Sequence, residues 1–179
     1  AIAQSRDISV AEADKTKIKG LTNIYVTKEA YDKRLREIEN LKNEIPVVAK
    51  MKQEAAEKGD LKENADYHAA TDRLDQIQNQ IKRLTAEIVR ALPINLETVT
   101  TDAVNVGCVV ETEDADTGRK ETWTFLGPWD SDHTRRVYSY LAAAGQAFLG
   151  HKPGDVVSFS DGDAQKKSKI ISIRRYAPG

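Results

Sequence analysis

Nine residues, Gly59-Asp60-Leu61-Lys62-Glu63-Asn64-Ala65-Asp66-Tyr67, constrain this chain more than any other stretch. They join two long apolar seams of helical period through a link that leaves room only for a sharp reversal. Upstream, the seam runs through Tyr31, Leu35, Ile38, Leu41, Ile45, Val48, Met51 or Lys52, and Ala55. Downstream, it runs through Tyr67, Ala70, Leu74, Ile77, Ile81, Leu84, Ile88 and Ala91. Steps of three and four residues keep one face of a helix turned toward a partner. The two helices are therefore predicted to pack antiparallel as a coiled-coil hairpin. At about 28 residues each and about 1.5 Å per residue, the hairpin is roughly 40 Å long.

Local signals set the ends of these helices. Thr27 reads as the N-cap of the first, with Glu29 in its first turn. Pro46 interrupts the run, but the seam continues past it, which predicts a bend and not an end. Lys58-Gly59-Asp60 closes the helix, with Gly59 suited to the left-handed conformation of a helix end. Asp60 then fits the N-cap of the second helix, and Glu63 its third position, an Asp form of the capping box. Pro93 stops the second helix.

Composition narrows the partners. Charged residues make up 31% of the chain, above the usual quarter, which favours exposed helix surface over one large core. Net charge is −1, and residues 28–92 carry 13 basic and 13 acidic side chains. No segment is basic enough to hold nucleic acid by counterion release alone. The lone Cys108 excludes an intrachain disulfide and reads as a small buried hydrophobe beside Val106, Val109 and Val110. No apolar run approaches the roughly 18 residues of a spanning helix. The first residues lack the layout of a signal peptide, and the expectation is a cytoplasmic protein with no membrane partner.

After Pro93 the apolar period shortens to two. Val106–Thr112 and Thr122–Leu126 read as strands around the turn Asp114-Ala115-Asp116-Thr117-Gly118. Arg136–Tyr140 is a possible third strand, and Leu141–Leu149 a short helix closed by Gly150. Asp155–Ser160 and Lys169–Arg175 supply two more strands about Asp161-Gly162-Asp163. The predicted fold class is α+β, a helical hairpin followed by a small antiparallel sheet with one helix. Its organisation reads as a flexible arm over 1–26, the hairpin over 27–92, a linker over 93–103 and the sheet domain over 104–179. Trp123 and Trp129 are expected in the core or rim of that sheet. His68, His133 and His151 lack metal-ligand spacing.

With hairpin, acidic link and sheet in place, the run Gly59–Ala70 resembles the tip signature of the GreA/GreB transcript cleavage factors. Phe148-Leu149-Gly150-His151-Lys152-Pro153-Gly154-Asp155-Val156-Val157 resembles the helix-to-strand junction of that family's C-terminal domain. The chain departs from the family pattern in its longer leader and at Ser139–Ala147, where relatives carry Ser-Pro ahead of the helix. The resemblance implies an FKBP-like C-terminal domain that docks on bacterial RNA polymerase, with no isomerase activity implied. It also implies a hairpin that enters the polymerase secondary channel, where a backtracked enzyme holds the extruded 3′ end of nascent RNA. The factor, itself no enzyme, would stimulate the polymerase's own cleavage of that RNA.

Two-metal phosphodiester hydrolysis gives the acidic link a chemical meaning. A polymerase that holds one Mg²⁺ tightly and a second weakly gains from an added carboxylate. Asp60 and Glu63 match the family's catalytic positions. Asp60 is assigned to the weakly held ion and Glu63 to the attacking water or the same ion, with the two roles exchangeable. The site is shared with the polymerase, and no cofactor is expected on the isolated protein, which is read as a monomer. Asn64, Asp66 and Tyr67 are the supporting tip: Asn64 a hydrogen-bonding group toward RNA or polymerase, Asp66 a solvating charge, Tyr67 packing. Lys50, Lys52, Lys58, Lys62 and Arg73 are candidate RNA contacts, set against a plain solvated face balanced by Glu54, Glu57, Asp72 and Asp75. Two other readings stand beside this one. The first is a regulator that occupies the channel without promoting cleavage. The second is a coiled-coil adaptor whose sheet domain binds an unrelated protein.

Overall fold

The computed structural model describes residues 23–178. The described residues form two compact units, Tyr31–Ala91 and a second made of residues 23–30 with 92–178.

In the first unit, α1 (Lys28–Ala56) and α2 (Ala65–Arg90) form the expected hairpin. Thr27 caps α1 as predicted, its Oγ1 accepting from the Ala30 N–H at 3.1 Å. The helix runs unbroken through Pro46. The seam buries Ile38, Leu41, Val48 and Ala55 of α1 with Ala70, Ile77 and Leu84 of α2, flanked by half-buried Ile45, Leu74, Ile81 and Ile88. Register descends regularly along the pair. Arg34 lies 3.6 Å from Glu87, Arg73 pairs with Glu44, and Lys52 lies over Tyr67.

Two expected seam positions fall off it. Leu35 is 42% exposed because Leu35, Ile38 and Leu41 are separated by two three-residue steps. At 3.6 residues per turn, those steps turn Leu35 about 120° from Leu41. The same geometry decides between Met51 and Lys52. Met51 is 56% exposed, whereas half-buried Lys52 brings its Nζ to 5.4 Å from the Tyr67 ring.

The second unit holds a five-stranded sheet of order β5-β4-β3-β7-β6. Its strands are β3 (Cys108–Asp114), β4 (Lys120–Leu126), β5 (Val137–Ser139), β6 (Val156–Asp161) and β7 (Ala164–Arg175). The two expected turns carry left-handed glycines, Gly118 at φ +70 and Gly162 at φ +61. β7 begins earlier than its β-branched residues suggest, because pairing through Asp161↔Ala164 and Ser160↔Gln165 extends the hairpin. The wholly antiparallel expectation fails at β5, which pairs parallel to β4 through Thr124↔Val137 and Leu126↔Ser139. Residues 127–136 carry the chain back to enter in the same direction, a reversal that alternation within three residues does not encode.

Strand β1 (Ile24–Val26) pairs with β2 (Ala91–Pro93). This corrects the reading of a flexible arm up to residue 26; the rest of that arm, residues 1–22, lies outside the described residues. Val26 is fully buried, and its carbonyl accepts from the Ile94 N–H at 2.7 Å. Gly127 admits this strand, since a Cβ there would sit 2.0 Å from the Tyr25 carbonyl oxygen. Asp130 completes the junction, accepting from the main-chain N–H groups of Thr27 and Gly127 and from the Thr27 hydroxyl.

The short helix α3 (Ala143–Phe148) covers the sheet. Trp123, Phe125, Phe148, Phe159 and Ile170 form the core, with the Trp123 and Phe159 rings edge to face at 5.1 Å. Cys108 is fully buried as expected, and burial pushes its thiol pKa up. Trp123 is core, and Trp129 is half-buried on the 127–136 segment.

Ile77→Asp places an unpaired charge in the fully buried seam. It is expected to cost more than about 4 kcal/mol and abolish the helical melting transition followed by circular dichroism. An unchanged melt would contradict the hairpin. In the sheet unit, hydrogen bonds hold three carboxylates below the ordinary 3.8: the Thr117 and Asp116 amides on Asp114, the Thr134 hydroxyl on Asp132, and the Lys152 amide with the His151 ring on Asp155. A lowered folded pKa contributes stability that is whole above the ordinary value and lost as pH falls through the folded one. The urea midpoint is thus expected to drop as pH falls from about 5 through the ordinary carboxylate range and below it, and the Asp114→Asn/Asp132→Asn/Asp155→Asn variant should flatten that drop.

Candidate functional site

The candidate site is the turn between α1 and α2. The last α1 turn tightens, with Glu57 N–H donating to Gln53 O at 3.2 Å and Lys58 N–H to Ala55 O at 3.1 Å. The N-cap of α2 is Asn64, not Asp60. Its backbone is extended (φ −89, ψ 96), and its Oδ1 accepts from the Tyr67 N–H at 3.0 Å. Glu63 therefore precedes the helix and holds no third helical position. Gly59 is not among the left-handed glycines.

The reason is local competition. The Asp60 Oδ1 accepts from the Lys62 N–H at 3.0 Å, a turn two residues long that offers the carboxylate a partner outside any helix. With Asp60 committed there, the cap passes to the next side chain able to accept from the α2 terminus. Asp60 and Glu63 consequently project from an irregular loop, both exposed beside an exposed Leu61.

The other tip residues divide. Asp66 lies exposed in the first turn of α2, where the positive end of the helix dipole favours a carboxylate. Tyr67 packs as expected, half-buried under Lys52 and edge to face with His68 at 5.8 Å. Asn64 turns its carboxamide inward, its Nδ2 donating to Ala55 O at 2.6 Å, and so differs from the expectation of a group offered to RNA or polymerase. Sequence reasoning missed His68, whose Nε2 lies 3.3 Å from Lys62 O. The available signal was its place on α2, one residue beyond the start of the seam.

The candidate cations also separate. Arg73 forms a bidentate pair with Glu44 across the hairpin, 2.6 and 2.7 Å. That bond holds the Glu44 carboxyl below its ordinary range and raises the Arg73 guanidinium. Lys50 faces Glu54 at 3.8 Å with both side chains largely in water, a pair that contributes little. Lys52 is engaged with Tyr67. Lys58 and Lys62 are exposed at the loop, and their ammonium groups pair with no carboxylate among the described residues. Among those residues, no group of three His, Cys, Asp or Glu side chains is arranged to hold a metal ion. No described helix is long and apolar enough to cross a membrane.

An antiparallel helical hairpin with an acidic, solvent-facing turn, in one chain with a five-stranded α+β unit, defines a coiled-coil factor of two units. Family models described as "Transcription elongation factor, N-terminal" and "Transcription elongation factor, GreA/GreB, C-term" match residues 24–92 and 99–175. The chain belongs to the GreA/GreB family of transcription elongation factors. It is 34% identical over 153 residues to the transcription elongation factor GreA of Nitratidesulfovibrio vulgaris (strain DSM 19637 / Miyazaki F), covering 86% of this chain and 96% of that one. It is 37% identical over 153 residues to GreA of Desulfovibrio desulfuricans, covering 86% and 94%. The solved structure of the transcription factor Gfh1 aligns with 86% of this chain and 98% of its own, at 24% identity and a TM-score of 0.40.

The Arg73–Glu44 bond makes a test of the solvated-face reading. Arg73→Met and Glu44→Gln should each lower the hairpin melting temperature, and the double variant should lower it by less than their sum. Concentrated salt should shrink that coupling. Additive losses would return Arg73 to the set of free cations.

Proposed function

We propose that this chain binds RNA polymerase, inserts its hairpin into the secondary channel, and stimulates the polymerase's Mg²⁺-dependent cleavage of backtracked RNA. The observation that carries the reading is the pair Asp60 and Glu63, two exposed carboxylates on the turn of a long, well-packed hairpin in a GreA/GreB chain.

The donor set suits a shared ion. Asp60 commits one oxygen to the Lys62 N–H and keeps the second free of any protein partner among the described residues. Glu63 has no partner there and is free to turn. Hard carboxylate oxygens match Mg²⁺ and would add to a coordination shell held principally by another protein. When bound in the polymerase, Mg²⁺ activates water and stabilises the leaving oxygen of the phosphodiester. Asp60 would help to hold that ion and Glu63 would orient the attacking water or share the ion, with the two roles exchangeable. Lys58 and Lys62 place positive charge near the RNA backbone without neutralising either carboxylate. The factor acts as a monomer and leaves a new RNA 3′ end in register for synthesis.

Asp60→Ala/Glu63→Ala should cut stimulated RNA cleavage in a stalled, backtracked elongation complex by about 100-fold or more. Polymerase affinity should stay near that of the parent, since neither side chain supports the fold. Full stimulation by the double variant would end the carboxylate mechanism. Binding without stimulation by the parent would make the chain a channel-occupying regulator, and no binding would leave the adaptor.

A further inference from the structure

We propose that Asn64 is the positioning residue of this tip, tying the end of α1 to the start of α2 and so holding the loop that carries Asp60 and Glu63. The role rests on the cleavage function proposed above.

One planar carboxamide makes both ties. Its Nδ2 donates to Ala55 O at 2.6 Å, and its Oδ1 accepts from the Tyr67 N–H at 3.0 Å. The Tyr67 N–H is a helix-terminal donor left over by the helical hydrogen-bond pattern, and the Ala55 carbonyl, which also accepts from the Lys58 N–H at 3.1 Å, takes the Asn64 amide on its second lone pair. The residues they belong to are anchored, Ala55 in the buried seam and Tyr67 under Lys52. An N-cap needs only the acceptor, and Ser or Asp supplies it as well as Asn. The donor to Ala55 is extra, and it closes a loop that contains Asp60 and Glu63. Among common capping side chains, only Asn carries its acceptor and its donor on separate atoms of one planar group, so that it can reach two partners at once.

A second set of contacts works inside that loop. The Lys62 N–H donates to Asp60 Oδ1, and the Lys62 carbonyl lies 3.3 Å from His68 Nε2. A line of contacts thus runs from α2 through the Lys62 main chain to the Asp60 carboxylate. The carboxylates are exposed and unpacked, so these ties are what restrict where they point. Misplacement of a reacting group by about 1 Å costs about 100-fold in rate.

The test is Asn64→Ser, which keeps a hydroxyl acceptor for the Tyr67 N–H but cannot reach Ala55 O. Helix content and the concentration of factor that half-saturates polymerase should match the parent. Amide hydrogen exchange at Lys62 should accelerate, and the maximal cleavage rate at saturating factor should fall by about 10- to 100-fold. If Asn64→Ser loses helix content, Asn64→Asp, which keeps a carboxylate acceptor for the cap and equally lacks the donor, decides with the same expected loss. A capped, folded variant that matches the parent in exchange and maximal rate overturns the role while leaving the function standing. A parent that stimulates no cleavage removes both.

Discussion

Ile77 and Leu84 are wholly removed from water between α1 and α2, and the rest of the hairpin depends on that burial. Each side chain contributes about 1.5–3 kcal/mol by leaving water. The outer surface offers little in return, because its charges are balanced and mostly exposed, and such pairs are screened by salt. Ion pairs such as Arg73–Glu44 select the register that the seam stabilises. With the register set, Ala55 and Tyr67 come within reach of a single side chain, and the acidic turn acquires a defined shape.

That turn shows how small polar side chains partition work. Asp60 and Asn64 are both good helix caps, and three residues lie between them. Asp60 takes the nearer partner, the Lys62 N–H, and is thereby drawn out of the helix. Asn64 takes the helix terminus and the Ala55 carbonyl together. The charged group is left facing solvent, and the neutral amide faces inward, the arrangement with the lower desolvation cost. Exposed carboxylates are what the proposed shared metal site requires, and the amide can be half-buried because all it needs is hydrogen bonds.

Much of this was legible in the residues. The seam through Ile38, Leu41, Val48, Ile77 and Leu84, the Thr27 cap, the glycine turns at 118 and 162, and the buried Cys108 each follow from a local rule with one strong signal. Other features depended on competition or on distant chain. Leu35 fits a three-four pattern by count and fails it by angle. Asp60 and Asn64 compete for one cap, and spacing alone does not rank them. β5 pairs parallel because of where residues 127–136 return, and Ile24–Val26 form a strand because Gly127, a hundred residues on, leaves room for them. Asp60 and Glu63 were singled out by the motif and lie exposed on the turn, whereas the inward turn of Asn64 and the place of His68 needed coordinates.

Gly127 and the β1–β2 pairing also bear on the order of events as the chain folds. The sheet unit is discontinuous in sequence, with Val26 before the hairpin segment and Phe125, Phe148 and Ile170 after it. Its last contacts wait for chain made late, whereas the hairpin has all its partners within one contiguous stretch. Helical hairpins with local contacts form quickly. Once α1 and α2 are zipped, Thr27 and Ala91 are already held near each other, and the entropy of closing the long intervening loop has been met before β1 seeks β2. A hairpin slow to form would leave the Ile24–Val26 edge open, and an unpaired edge strand is a template for pairing with other chains. Packing in the hairpin thus also guards the sheet against misassembly during synthesis.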